Sequence, residues 1–287
     1  LQKNDFKEIL KAMEGYPVTI RLLDPPLHEF LPRMEQLIEE IHHMEVVGAD
    51  ATALAGKKKI LEKVKVLAEV NPMLGHRGVR VGVTYPEIYE MQIRAIYEAT
   101  GELMKEGMDV KPQIMVPQVA DAEELIYVRQ IIDKVRREVE EKFGFKILIK
   151  YGTMVEVVRA CVTADLIGEV VDFFSFGTND LTQATFSFSR EDAENKFLPY
   201  YITHGILSEN PFQNIDEAGV GRLMQIGVEL GKRANPELEV GICGEHGGDP
   251  KSIEFCHKIG LTYVSASAYR IPVARIAAAH AAIKQAR

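Results

Sequence analysis

Short apolar runs alternate along nearly the whole chain with longer segments whose apolar residues recur every three or four positions. That alternation is the sequence form of repeated βα units and a parallel sheet covered by helices. Strands are predicted near Val18 to Leu22, Val79 to Val83, Ile114 to Val116, Ile147 to Tyr151, Asp172 to Phe176, Glu239 to Cys243, and Tyr263 to Ala266. Helices are predicted from Glu87 to about Lys105, Ala122 to Lys142, Val220 to Arg233, Pro250 to Ile259, and Pro272 to Lys284. Their polar faces carry pairs such as Glu138 with Lys142, which marks the charge runs as solvated surface. Seven strands in 287 residues predict one α/β domain over residues 1–287, a (β/α)8 TIM-type barrel with extra helices, in which the eighth strand is not placed. A doubly wound open sheet is the alternative.

Two connections exceed the usual length between such elements. Leu27 to Leu74 is mostly helical, through Glu35-Gln36-Leu37-Ile38-Glu39-Glu40 and the pattern from Lys57 to Val66, and is expected to be a helical excursion. Phe186 to Ile215, rich in Ser, Asn, Pro and Tyr, is expected to be an ordered loop near the site or a subunit contact.

At 46% hydrophobic and 26% charged, the composition supports a large core. A net charge of -8 without any basic run argues against nucleic acid as the main partner. No stretch approaches the roughly 20 uninterrupted apolar residues that span a bilayer. Three cysteines without metal-type spacing make no disulfide framework, so a reducing cytoplasmic compartment is expected. The chain opens without Met and without a strand, and is expected to be a piece of a longer polypeptide.

The densest chemical signal is Phe173-Phe174-Ser175-Phe176-Gly177-Thr178-Asn179-Asp180-Leu181-Thr182-Gln183, a buried strand running straight into a helix start. Backbone N–H groups of Thr178, Asn179 and Asp180 would favour a carboxylate or phosphate there, and Asp180 adds a hard oxygen ligand for a divalent cation. The plain alternative is a helix N-cap.

Other polar groups fall at strand ends, which in a barrel converge on one mouth. Arg21 ends the first strand, Arg77 lies in the Gly75-His76-Arg77-Gly78 turn, Glu156 follows the fourth run, and Cys243 ends the sixth. Guanidinium groups bind phosphate bidentately, although Arg21 would equally pair with Asp24, and the glycines beside Arg77 would equally serve the turn alone. Glu156 follows the Gly152-Thr153 turn and suits Mg²⁺ together with Asp180; otherwise it is a helix-surface residue. Cys243 lies in Gly241-Ile242-Cys243-Gly244-Glu245-His246-Gly247-Gly248-Asp249-Pro250, where glycines leave the thiol little cover and Asp249 with Pro250 starts a helix. His246 would orient that thiol, bind an anion, or sit on the surface. Cys161 and Cys256 read as packing residues. His42 and His43 have no ligand partner at useful spacing.

These pieces, in this order, resemble the carboxyl-terminal phosphoenolpyruvate/pyruvate-binding domain of the pyruvate phosphate dikinases. The resemblance covers nearly the whole chain. It rests on Arg21-Leu22-Leu23-Asp24-Pro25-Pro26-Leu27-His28-Glu29-Phe30-Leu31-Pro32, Leu74-Gly75-His76-Arg77-Gly78-Val79-Arg80, Thr84-Tyr85-Pro86-Glu87, Gly152-Thr153-Met154-Val155-Glu156, and Cys243-Gly244-Glu245-His246-Gly247-Gly248-Asp249-Pro250, with the run ending at Gln183. Phosphoenolpyruvate synthases and the sugar-phosphotransferase enzyme I, whose barrel domains are the alternative, share the Asn-Asp-Leu-Thr-Gln and Cys-Gly pieces, but the Asp-Pro-Pro-Leu-His-Glu-Phe-Leu-Pro and Glu-His-Gly-Gly-Asp-Pro wording resembles the dikinase branch. The chain departs from the family pattern at Val157-Val158, where Pro is usual in second place, and at Gln113 and Gln118, where an acidic and an apolar residue are more usual.

The resemblance implies that Arg21 and Arg77 hold the transferring phosphoryl group, and that Glu156 and Asp180 bind Mg²⁺. It further implies that Gly177, Thr178 and Asn179 contact the substrate carboxylate, and that Cys243 exchanges a proton at the pyruvate methyl carbon. A homodimer is implied, as is a phosphohistidine domain elsewhere in the enzyme, so this piece alone is expected to bind phosphoenolpyruvate, pyruvate and Mg²⁺ without completing nucleotide-dependent turnover. Two other readings stand beside this one: a Mg²⁺-dependent 2-keto acid aldolase or lyase, and a module that only dimerises a larger assembly.

Overall fold

The computed structural model describes residues 1–26, 29, 31–69 and 71–285. Leu27, His28 and Phe30 of the Leu27 to Leu74 connection, and of the Asp-Pro-Pro segment, lie outside the described residues. Six strands appear among them: β1 (Pro17–Arg21), β2 (Lys111–Val116), β3 (Lys150–Val155), β4 (Phe173–Gly177), β5 (Glu239–Cys243) and β6 (Tyr263–Val264). Every neighbouring pair is parallel, and the order across the sheet is the order along the chain. Sequential order winds the sheet in one direction as an α/β half-barrel, with no reversal point of the kind that a doubly wound sheet requires.

Helix α1 (Gln2–Ala12) precedes the sheet, and α2 (Met34–Val46), α3 (Ala51–Leu67), α4 (Val79–Thr84) and α5 (Pro86–Lys105) separate β1 from β2. The next crossovers are α6 (Ala122–Phe143), then α7 (Val158–Val162) with α8 (Ala164–Gly168). Between β4 and β5 run α9 (Thr178–Phe186), α10 (Arg190–Asp192), a π-helical turn at Ala193–Phe197, α11 (Leu198–Thr203) and α12 (Val220–Ala234). Helix α13 (Pro250–Lys258) leads to β6, and α14 (Ile271–Lys284) follows it. None of these helices is long and apolar enough to cross a membrane.

Local chemistry explains the elements that agree with expectation. Asp121 accepts from the Glu123 N–H while Glu124 reaches back to the Asp121 N–H, which caps α6, and Gly144 ends that helix at φ 80°. Asp249 accepts from the Ser252 N–H at 2.8 Å and Pro250 occupies the first turn of α13. Along β4 all five residues are buried, because helices cover one face and the barrel interior the other. Helix α12 settles closely on that sheet and on α8: a Cβ at Gly168 would lie 3.0 Å from the Gly231 carbonyl, so a side chain there would push the two helices apart by a few tenths of an ångström.

Three expectations are corrected. Val79 to Val83 is helical, not a strand, so six strands replace the seven expected. Val79, Val81 and Val83 fit a period of two, but Val79 and Val83 are also one helical turn apart, and both pack on the core. Tertiary packing selects the helix, since Gly82 lies flat against the Tyr89 ring, where a Cβ would come within 2.4 Å. The strand expected at Ile147 to Tyr151 begins three residues later, because the Ile147 N–H is bound by Glu140 Oε1 at 2.9 Å instead of a neighbouring strand. Gly152 and Thr153 therefore lie inside β3, not in a turn after it, and Gly152 makes room for the Phe173 ring across the ladder. The Phe186 to Ile215 connection is not a plain loop either: α10, the π-helical turn and α11 fold over a small core of Ala193, Leu198 and Phe212.

Candidate active site at the carboxyl mouth of the half-barrel

Because all six strands are parallel, their carboxyl ends open on one side. Arg21 is the last residue of β1, Glu156 the first after β3, Gly177 the last of β4, and Cys243 the last of β5. Register places Gly177 directly beside Cys243. Thr178, Asn179 and Asp180 form the first turn of α9, whose amide dipoles point into the mouth.

Asp24 links the arginines. Its Oδ2 lies 3.3 Å from Arg21 Nη1 and pairs with Arg77 Nη2, while Oδ1 accepts from Arg77 Nε at 3.3 Å. Arg77 Nη1 then donates to Asp180 Oδ1 at 3.3 Å. Both Arg77 and Asp24 are buried. Burial alone would lower the Arg77 pKa, but hydrogen bonding and charge from Asp24, with help from Asp180, raise it instead. Arg21 differs in having 48% of its side chain exposed, so it pairs with Asp24 and still presents a guanidinium edge to the mouth.

Glu156 is 1% exposed. Its Oε1 accepts from the Gln118 N–H at 2.6 Å, whereas Oε2 is buried without any donor. Burial, and then the charge of Asp180, push its carboxyl up to about 8. Burial likewise raises the Asp180 pKa, and Arg77 only partly offsets it. A Cβ on Gly177 would sit 2.3 Å from Glu156 Oε2, so the glycine at the end of β4 is what lets that carboxylate lie across the mouth.

Cys243 Sγ lies 3.6 Å from the Phe176 carbonyl and borders Met115, Met154 and Phe173. Burial pushes the thiol up to about 11, so at neutral pH it carries its proton. Cys161 and Cys256 are buried in the main core, as their helical patterns predict. His246 neither orients the thiol nor lies on the surface: its Nε2 donates to the Pro211 carbonyl at 3.0 Å and its Nδ1 accepts from Thr178 Oγ1 at 2.7 Å. It thereby pins the start of α9 to the Phe186 to Ile215 connection, and burial lowers its pKa.

Glu156, Asp180 and Gln118 share a cleft of 540 Å³ with Arg80, Met73 and Ser187 to Ser189. Among the described residues no group of three His, Cys, Asp or Glu side chains is placed to hold a metal unaided. Two carboxylates nevertheless suit Mg²⁺, which takes one or two from the protein and the rest from water and substrate oxygens. The donorless, buried Glu156 Oε2 fits that ion.

The sequence marks Asp24 only as a partner for Arg21, and Gln118 only as a departure from the family pattern. Their burial at the mouth depends on contacts across dozens of residues, for which sequence offers no local signal.

The fold and this mouth define an α/β-barrel domain that gathers buried carboxylates and paired arginines at the carboxyl ends of its strands. The chain belongs to the phosphoenolpyruvate-binding domain family of phosphoenolpyruvate-utilising enzymes, whose family model matches residues 1–283. It is 59% identical over 288 residues to the pyruvate, phosphate dikinase of Entamoeba histolytica, covering 100% of this chain and 32% of that protein. With the pyruvate, phosphate dikinase of Clostridium symbiosum it shares 50% identity over 284 residues, 98% of this chain and 31% of the other. The chain thus spans about a third of the length of these curated relatives. Among solved structures it is similar to a citrate lyase from Burkholderia xenovorans, with a TM-score of 0.44 and 15% identity, over 66% of this chain and 53% of that one.

Proposed function

We propose that this domain binds phosphoenolpyruvate and pyruvate for a dikinase, and carries the half-reaction in which a phosphoryl group passes between the enol oxygen of pyruvate and a phosphohistidine on another domain. One observation carries the reading: Arg21, Asp24, Arg77, Glu156, Asp180 and Cys243, scattered over more than two hundred positions, meet at one strand-end mouth.

The chemistry follows from the charges. Arg21, half-exposed at the rim, grips phosphoryl oxygens and neutralises their charge during transfer. Arg77, held by Asp24 and Asp180, presents a fixed positive field to the same group. Amides at the start of α9 and the Asn179 side chain receive the carboxylate. Glu156 and Asp180 would hold Mg²⁺, which supplies Lewis acidity at the keto or enol oxygen. Cys243, protonated at neutral pH, gives its proton to the methylene carbon when phosphoenolpyruvate is consumed; the methyl proton returns to that sulfur in the opposite direction.

A homodimer and a reducing cytoplasmic setting complete the proposal. Supporting the first, α14 is apolar apart from Arg275, His280 and Lys284 and leaves Val273, Ile276 and Ile283 exposed. Supporting the second, all three cysteines are free. A 2-keto acid lyase would need neither the paired arginines nor a neutral thiol.

Calorimetry with phosphoenolpyruvate tests the binding claim: Mg²⁺-dependent heat is expected from the chain, and its absence would sink the reading. Deuterium exchange at the pyruvate methyl tests the thiol. Cys243→Ala is expected to abolish that exchange while binding survives, and unchanged exchange would remove Cys243 from the mechanism.

A further inference from the structure

Gln118 stands apart from every other residue of the mouth. Among the described residues only it and Ser187 combine a side chain with positive φ. Ser187 ends α9, where the left-handed conformation is ordinary. Gln118, at φ 60°, follows Pro117 at the carboxyl end of β2, with no helix end to explain the strain. The surroundings hold it there from two sides. Its N–H is bound by Glu156 Oε1, and its Cβ and Cγ press on Gly78, where an added Cβ would come within 2.9 Å of both. The same Gly78 position lies 3.0 Å from Asp24 Oδ1, so the side chain starts beside the anchor of Arg77.

The side chain is 3% exposed, lines the cleft with Glu156 and Asp180, and extends toward Asp180. Yet Nε2 makes no hydrogen bond of ordinary geometry, the Asp180 carboxylate being only a weak, distant partner for it. A buried amide donor so weakly paired is costly, and an apolar side chain of the same length would fill the space without that cost. Strain, burial and a donor without a well-formed partner together mark a group kept for a ligand.

Resting on the binding function proposed above, we infer that Gln118 is a further substrate-binding residue, whose Nε2 donates to a phosphoryl oxygen of phosphoenolpyruvate beside Arg77. The position selects the phosphoryl end over the carboxylate end. Gln118 adjoins Gly78, Asp24 and Asp180, the surroundings of Arg77, while the carboxylate amides belong to the turn that starts at Thr178.

Gln118→Leu removes the donor at nearly constant volume, and Gln118→Asn keeps an amide that tolerates positive φ but ends one carbon short. Calorimetry in Mg²⁺ compares phosphoenolpyruvate with oxalate, which offers carboxylates and no phosphoryl group. Loss of one charge-assisted hydrogen bond predicts about ten- to hundredfold weaker phosphoenolpyruvate binding in either variant. Oxalate affinity is expected to stay within about twofold, since no such bond is lost. If Leu prevents folding, which a thermal melt reveals, Asn alone decides. Unchanged phosphoenolpyruvate affinity, or an equal loss for both ligands, overturns the assignment. Should the unaltered chain bind neither ligand, the proposed function fails first and this inference with it.

Discussion

The two ends of the half-barrel hold clefts of nearly equal volume and opposite character. At the amino ends of the strands a 570 Å³ cleft is bordered by Pro17, Lys111, Lys150, Asp172 and Glu239, and its Lys150–Glu239 pair, 2.5 Å apart, is nearly half exposed. At the carboxyl ends the 540 Å³ cleft borders Glu156 and Asp180, with the buried pair of Asp24 and Arg77 alongside. Water screens the first set, so its charges cost little and do little. Burial leaves the second set dependent on each other and on whatever binds. Volume therefore fails to distinguish the ends, and desolvated charge does.

The largest break in that contrast should come from Arg77→Ala. It strips Asp24 and Asp180 of a buried counter-charge, and denaturant unfolding is expected to show a loss of about 3–5 kcal/mol. A loss below about 1 kcal/mol would show that the mouth is as well solvated as the opposite rim.

Glu156 sharpens the comparison through pH. Its folded carboxyl, held near 8, keeps a proton that the unfolded chain releases near 4.5, so the unfolded state binds fewer protons between those values. Stability from this group is full below the lower value, falls as pH rises, and is gone once pH passes the upper one. Thermal melts without Mg²⁺ should follow that slope, amounting to at most a few kcal/mol. Glu156→Gln should flatten it and abolish any stabilisation by added Mg²⁺, and an unchanged slope would place the titration elsewhere.

The smallest effect belongs to the opposite rim. Lys150→Ala should change unfolding free energy by less than about 1 kcal/mol, and high salt should erase even that. A cost comparable to that of Arg77→Ala would make the amino-end cleft a second desolvated site.

Legibility in the sequence followed the range of the interaction. The helix from Ala122, started by the Asp121 to Glu124 cap that the structure shows, the Asp249-Pro250 helix start and the apolar β4 run all depend on interactions within a few residues, so pattern alone places these elements. Strand-end positions of Arg21, Asn179, Asp180 and Cys243 were legible for a similar reason: a parallel barrel sends all such ends one way. Val79 to Val83 was misread because two periods fit it equally, and the contact that decides, Gly82 on Tyr89, is tertiary. Glu156 was visible as a residue, but its setting was not, since the start of β3 depends on Glu140 holding Ile147.

What the sequence determined by itself was the alternation of strand and helix, the α/β class, and the side chains available at each strand end. Only the folded chain decided which of those side chains lose water. Asp24 binds Arg77 across 53 positions and Gln118 holds Glu156 across 38, pairings set by how helices and turns close over the mouth. Desolvation is a property of the whole enclosure, and no local run of residues encodes it.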